Sequence, residues 1–421
     1  MTSAHDRLGQ DDVIVGLDLA TREHQAVVIS STGKRLTRFR VPHSRKGLEE
    51  LLRRTTPSIL GRPNGKRVFA FEATGHVWPA VAFVLEEQGE RYVIVNPLAT
   101  FRVREARQLD RQKTDVNDSE QIAELARTGV VTRTQLDPRA YLELRRMWGE
   151  YARLRSERAR LKTLLTHQLY GLFPEFIGNW SDVLQPGALA VLRRGLTPTE
   201  IAALPLNDFI AQVQQARCGR RVWRFKVIQV HERAQISVAC PLGLKALAHE
   251  VQRVVARIDQ ISAQMEELAA EIQGHLASIQ EAQYLGTIPG LAWSSIAGLI
   301  AHIGAIDKYR HGRQLVKLAG TNPSRRDSGL TVGRIQSMTH RGRAGLREVV
   351  FLATLSCLQH NSRLRAHYDR LIQREERPLT KMQAIGACMN KLLLYAFAVM
   401  KRRQTFESSH VCSRQGGNQA A

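Results

Sequence analysis

VIVGLDLATREHQAVVISSTGKRLTRFRV, residues 13–41, is the stretch on which the fold turns. Three short runs rich in β-branched residues, 13–20, 24–30 and 35–41, are separated by turn residues such as STGK at 31–34. That spacing predicts a three-stranded antiparallel meander. Working outward, RKGLEELLRRT (45–55) has leucines at helical spacing, RVFAFEAT (67–74) reads as a buried strand, WPAVAFVLEEQG (78–89) as a helix and RYVIVNP (91–97) as a strand. Helical patterning follows to about residue 129. The order β-β-β-α-β-α-β-α, hairpins first and alternation afterwards, predicts an α/β domain: a mixed sheet with helices on its faces, its first and fourth strands side by side.

Beyond this region the pattern changes. From Tyr141 to Phe176 it is helical and heavily basic, as in RRMWGEYARLRSERARLKTLL (145–165), and prolines and glycines then interrupt it at 174–187 and 196–205. Between His249 and Leu276, apolar residues at 251, 254, 258, 261, 265, 268 and 272 form a heptad seam about three heptads long. The seam fits a coiled coil or an amphipathic helix packed in a bundle equally well. LGTIPGLAWSSIAGLIAHIG (285–304) resembles a helix-hairpin-helix, with Ala292 where a second turn glycine is usual. The Gly- and Arg-rich run 317–343 leads into an apolar helix, and KMQAIGACMNKLLLYAFAVMKRR (381–403) reads as a last helix with a basic end. The expected divisions are 13–130, a helical middle and insertion at 141–283, a mainly α C-terminal domain at 284–404, and a disordered tail at 405–421.

Composition narrows the partner. There are 61 Lys+Arg against 39 Asp+Glu, a net charge of +22. Such a surplus favours a polyanion, because basic side chains displace the counterions condensed on phosphates. No 18-residue apolar run, signal peptide or lipidation motif is evident, so nucleic acid is a better candidate than a membrane surface, and the expected location is the cytoplasm. Cys218, Cys240, Cys357, Cys388 and Cys412 are scattered and form no CxxC pair, which argues for reduced thiols and against a zinc finger.

Four carboxylates stand out: Asp18 in the first strand, Glu72 at the end of the fourth, and Asp115 with Asp118 at the start of a helix. Taken singly, each reads as an edge-strand charge or a helix-start residue. Together they pose a different problem, because an acid within an apolar strand is costly to bury unless paired or bound to metal. Asp115 and Asp118 are spaced i, i+3 and share a helix face. If that helix packs across the first and fourth strands, four oxygen ligands converge, a set suited to Mg²⁺ or Mn²⁺. Two ions about 4 Å apart would clamp both oxygens of a phosphodiester displacement.

Asp18, Glu72 and the KTDVND pair (113–118) resemble the DEDD-type transposases of bacterial insertion sequences, the insertion-sequence-110 family, related to the Piv DNA invertases. The motifs GLDLA (16–20), FEATG (71–75), VNPLATFRVREARQLDRQKTDVNDSEQIAELA (95–126), IPGLAWSSIAGLIAHIG (288–304), LAGTNPSRRDSG (318–329) and HRGRAGLREVVFLA (340–353) occur in family order. The resemblance spans about residues 13–130 and 285–400 and implies a ribonuclease-H-like (RuvC-like) N-terminal domain, with Asp18, Glu72, Asp115 and Asp118 as metal ligands. It further implies a serine nucleophile in the C-terminal domain, matched here by Ser328 before Gly329, with Asp327 where many members carry a small polar residue and Ser324 as the fallback. Arg325, Arg326 and Arg334 offer forks for phosphate oxygens, Arg341 and Arg343 follow in the next motif, and His340 is the nearest histidine to Ser328. In GRRVWRFK (219–226), Trp223 beside Arg220 and Arg221 suits unpaired bases, or else lies in a strand with its aromatics in the core.

The resemblance implies donor and target DNA, a structured non-coding guide RNA and a homodimer or homotetramer, with the central helices as a dimerising stalk. The alternative is a RuvC-like Holliday-junction endonuclease that uses metal and water without a covalent intermediate. An ATPase of the actin type is less suited, since DLAT (18–21) lacks the glycine expected after the aspartate.

Overall fold

The computed structural model describes residues 9–73, 76–96, 100, 115–133, 136–219, 221–325 and 335–407; at 115–117, 132–133, 324–325 and 335–337 it describes the backbone course alone. The chain forms two units, residues 1–137 and 138–421.

The first unit contains β1 (Val13–Asp18), β2 (Glu23–Ser30), β3 (Arg35–Pro42), α1 (Arg45–Arg54), β4 (Arg67–Glu72), α2 (Trp78–Glu87), β5 (Arg91–Val95), α3 (Asp115–Arg127) and β6 (Val131–Arg133). The sheet order is β3-β2-β1-β4-β5-β6. β1 pairs antiparallel with β2 and parallel with β4, and β4 runs parallel to β5. The mixed sheet and its meander are those the sequence predicts. The antiparallel edge strand β6 is not, because three residues are too few to show a period.

The pleat sorts the sheet into two apolar layers. Val13, Val15, Leu17, Phe69 and Phe71 join Leu48, Leu51, Val81 and Leu85 from α1 and α2. Ile14, Val27, Ile29 and Ala70 join Ile122, Ala123 and Leu125 from α3 on the other face.

The second unit is nearly all helical: α4 (Arg139–Leu172), α5 (Pro174–Ile177), α6 (Pro186–Leu192), α7 (Pro198–Ala203), α8 (Leu206–Gln215), α9 (Arg224–Gln235), α10 (Leu244–Leu276), α11 (Gln280–Gly286), α12 (Trp293–Ile303), α13 (Arg313–Ala319), the hairpin β7 (Pro323–Arg325) and β8 (Ile335–Met338), then α14 (Ala344–His360), α15 (Ser362–Ile372) and α16 (Lys381–Arg402). One apolar core runs through these helices.

Contacts at three levels make α4 and α10 an antiparallel pair. The His275 ring meets the Ala140 carbonyl at 2.7 Å, Arg257 meets Glu157 at 3.8 Å, and Gln168 donates to Glu250 at 3.4 Å. The seam residues Val251, Val254, Ile258, Ile261, Met265, Leu268 and Ile272 are all buried, in one core with Leu154, Leu161, Leu165 and Leu169 of α4. The seam is filled from within the chain by α4, so its partner is intramolecular, as the packed-helix reading has it.

The helix-turn-helix of α11 and α12 turns through Gly290 at φ +91°, where a Cβ would lie 2.7 Å from the Cys357 Cα. Both conditions require glycine. Of the described helices, α16 alone is long and apolar enough to cross a bilayer by length and composition. Its Met389, Leu392, Leu393, Tyr395 and Ala396 are nonetheless buried in the core.

Candidate active site

The last parallel pair between β1 and β4 is Leu17 with Phe71, and Asp18 and Glu72 follow at the carboxyl ends of these two adjacent strands. Alternation places both acids on the face of Ile14, Gly16 and Ala70, which is the face α3 covers. The two carboxylates are therefore side by side on one surface, each half-buried.

Gly16 fixes where α3 crosses. A Cβ there would lie 2.1 Å from the Ser119 carbonyl oxygen and 2.8 Å from the Ala123 Cβ, so the helix rests directly on the strand backbone. Its far end is located by Gly33, whose added Cβ would stand 3.5 Å from Arg127 and 3.6 Å from Glu124. Gly33 follows the end of β2, and Ser30 there pairs with Val13 at the start of β1. Thus α3 runs opposite to β1, and its first turn, bearing Asp115 and the half-buried Asp118, lies toward the Asp18 end of the sheet. The side chain of Asp115 lies outside the described residues.

Among the described side chains, no three His, Cys, Asp or Glu residues are gathered closely enough to hold a metal ion. The described acids at this end of the sheet, Asp18, Glu72 and Asp118, nonetheless offer only hard carboxylate oxygens, a chemistry that fits Mg²⁺ or Mn²⁺.

Gln25 and Arg40 extend this acidic end, and neither is among the residues marked from sequence. Asp18 pairs with Gln25 across β1 and β2, and Gln25 pairs with Arg40 across β2 and β3. The one sequence signal is alternation in RFRV, where Arg38 and Arg40 interleave with the buried Phe39 and Val41. His24, one residue away, points to the opposite face. It accepts from the Ala20 amide at 3.3 Å and lies 3.0 Å from His43. Burial, with His43 second, lowers its pKa to about 4, so it is neutral at pH 7.

Ser328, Arg326, Arg334 and Arg220 lie outside the described residues, as do the side chains of Ser324 and Arg325. The base of the β7–β8 hairpin is fixed by Thr339 Oγ1 against Asn322 Oδ1 at 3.0 Å and by Asn390 donating to the Thr321 carbonyl at 3.2 Å. Arg343 is exposed and donates to the His302 carbonyl at the end of α12. Arg341 and His340 are exposed, His340 at φ +50°. Trp223 precedes α9 and Phe225 lies in its first turn, each 53 % exposed, so the strand with core aromatics is not formed. The Arg221 guanidinium stands 4.3 Å over the Trp223 ring.

Comparison with known proteins supplies the family. Residues 15–174 match the DEDD-type IS110 family model, described as Transposase, and residues 282–369 match a second, described as Transposase IS116/IS110/IS902 family. The mini-circle putative transposase for IS117 of Streptomyces coelicolor is 24% identical over 410 residues, covering 94% of this chain and 95% of the relative. The insertion element IS110 uncharacterized 43.6 kDa protein of the same organism is 21% identical over 94% of this chain and 96% of its own. The pilin gene-inverting protein of Moraxella bovis is 28% identical over 126 residues, 30% of this chain and 38% of its own.

Proposed function

The chain belongs to the IS110 family of transposases, and from that premise we propose that it cuts and rejoins DNA strands through a metal-bound acidic site and a serine nucleophile. The observation that carries the reading is the common placement of Asp18, Glu72 and the first turn of α3 at one end of the sheet. The strand order and the parallel β1–β4 pair support a RuvC-like, ribonuclease-H-like unit.

Asp18, Glu72, Asp115 and Asp118 would hold Mg²⁺ or Mn²⁺, which supplies Lewis-acid stabilisation of charge building on phosphate oxygens. The Ser328 hydroxyl attacks the scissile phosphorus. Its oxygen forms a new P–O bond, the bond to one sugar oxygen breaks, and that oxygen leaves with a proton. A hydroxyl of a second strand then attacks the phosphoserine, and serine departs with its proton restored. One phosphodiester is exchanged for another, so no external energy source is needed. Arg325, Arg326, Arg334 and Arg341 would grip phosphates near the serine. The exposed pair Trp223 and Phe225, with Arg221 over the indole, supports stacking with unpaired bases of a structured guide RNA. Exchange between two DNAs requires several active sites together, so a homodimer or homotetramer in the bacterial cytoplasm is the expected working form.

The purified full chain, incubated with Mg²⁺ and DNA carrying the ends of its own element, should give a detergent-resistant protein–DNA adduct. Ser328→Ala should lose the adduct, and Asp18→Asn should lose both adduct and cleavage. Cleavage by Ser328→Ala at wild-type rate would refute the serine step and favour a junction endonuclease.

A further inference from the structure

We propose that Arg40, anchored by Gln25, is a phosphate-binding residue that steadies the DNA strand entering the acidic site, an inference that rests on the transposase reading. Asp18, Gln25 and Arg40 stand opposite one another on three adjacent strands, and Glu72 continues the row on β4. The pleat turns the whole row to one face. Val27 and Ile29, on Gln25's side of β2, lie in the α3 layer, while Phe39 and Val41, which flank Arg40, lie in the other. Strands about 4.8 Å apart put the Arg40 backbone roughly 10 Å from that of Asp18. An arginine arm spans most of that distance, so its guanidinium reaches phosphates flanking one held at the acids.

The anchoring is specific. Gln25 is buried, and its amide donates to the Phe39 carbonyl at 3.0 Å and the Ala26 carbonyl at 3.3 Å, while its oxygen accepts from Arg40 Nε at 3.1 Å. A buried amide is tolerated only when so satisfied. The grip occupies Nε, and the Arg40 side chain is otherwise exposed. Elsewhere in this unit Arg45, Arg53, Arg67 and Arg127 each meet a glutamate. Among the described residues no carboxylate pairs with Arg40. A guanidinium held by a neutral partner keeps its full charge, and its planar fork matches phosphate oxygens. The location also answers an electrostatic need: four carboxylates repel a polyanion, and a cation in the same row offsets that repulsion. Arg38, two residues back on the same face, prolongs the track.

The test uses the full chain in EDTA with a fluorescein-labelled single-stranded DNA, followed by anisotropy across a salt series. Arg40→Ala should weaken binding about tenfold and make the slope of log K against log salt shallower by about 0.7, one phosphate contact on a single strand. Arg40→Lys and Gln25→Leu keep the charge but lose the fixed fork, so both should weaken binding about threefold at unchanged slope. Lys46→Ala removes the same charge from α1 on the other face and should change neither. Wild-type affinity and slope in Arg40→Ala, or an equal loss in Lys46→Ala, overturns the inference and leaves the transposase reading standing. A wild-type chain that binds no DNA overturns both.

Discussion

Gly16 carries the registry of α3 on β1, and Gly16→Ala tests whether that contact sets the active site. The new Cβ would sit 2.1 Å from the Ser119 carbonyl, whereas ordinary van der Waals contact begins near 3.4 Å, so the helix must move by about 1.3 Å. The obstruction is backbone, which cannot swing aside as a flexible side chain would. Overpacking of this kind costs about 1–3 kcal/mol. The gain from a less flexible unfolded chain, about 0.4–1 kcal/mol, opposes it without cancelling it. For a unit of this size each kcal/mol corresponds to roughly 3–5 °C in Tm. The variant should therefore melt several degrees lower by circular dichroism. Displacing the first turn of α3 from Asp18 by about 1 Å should also lower recombination of an element-bearing plasmid on the order of 100-fold, far beyond the folding defect. Gly149→Ala, at a site in α4 with no atom within 4 Å of the added carbon, serves as the control and should be neutral or mildly stabilising. An unchanged Tm with full recombination in Gly16→Ala would refute the proposed seating of the helix.

Two further outcomes follow from buried and half-buried polar groups. His24 and His302 each have a pKa lowered to about 4, His24 by burial and then His43, His302 by burial and then Arg343 and Arg145. A histidine kept neutral when folded protonates more readily when unfolded, so its stability is complete above about pH 6.5 and declines as pH falls toward 4. The loss is about 3 kcal/mol for the fully buried His24 and smaller for the half-buried, partly solvent-screened His302. Melting followed from pH 7 to 4.5 should show this decline, and His24→Gln should flatten it for the first unit; a constant wild-type Tm over that range would contradict the assignment. In the second unit, Tyr141 donates to Glu281 at 2.6 Å, with both residues buried. Tyr141→Phe leaves that carboxylate short of a donor and should cost about 1.5–3 kcal/mol in urea unfolding, so a change under about 0.5 kcal/mol would show the bond to be dispensable.

How much of this was legible beforehand differs by element. The meander and the β-α alternation could be read because short β-branched runs and turn residues are local signals. The seam from Val251 to Ile272 was equally readable as a periodicity, but its partner was not. Nothing in a heptad says whether the covering helix comes from another copy or from α4 of the same chain, about a hundred residues upstream. β6 is too short to carry a period, and α9 begins where alternating aromatics and arginines suggested a strand.

The sequence by itself determined the type of sheet, the strands bearing Asp18 and Glu72, and the i, i+3 pairing of Asp115 with Asp118, because period-2 and period-3.6 patterns are written within a few residues. The tertiary structure alone decided that α3 lies antiparallel over β1 at Gly16, and that Gln25 and Arg40 continue the row begun by the two acids. Those are matters of which strand lies beside which and in what register. Contacts between residues distant along the chain set them, so no local pattern records them.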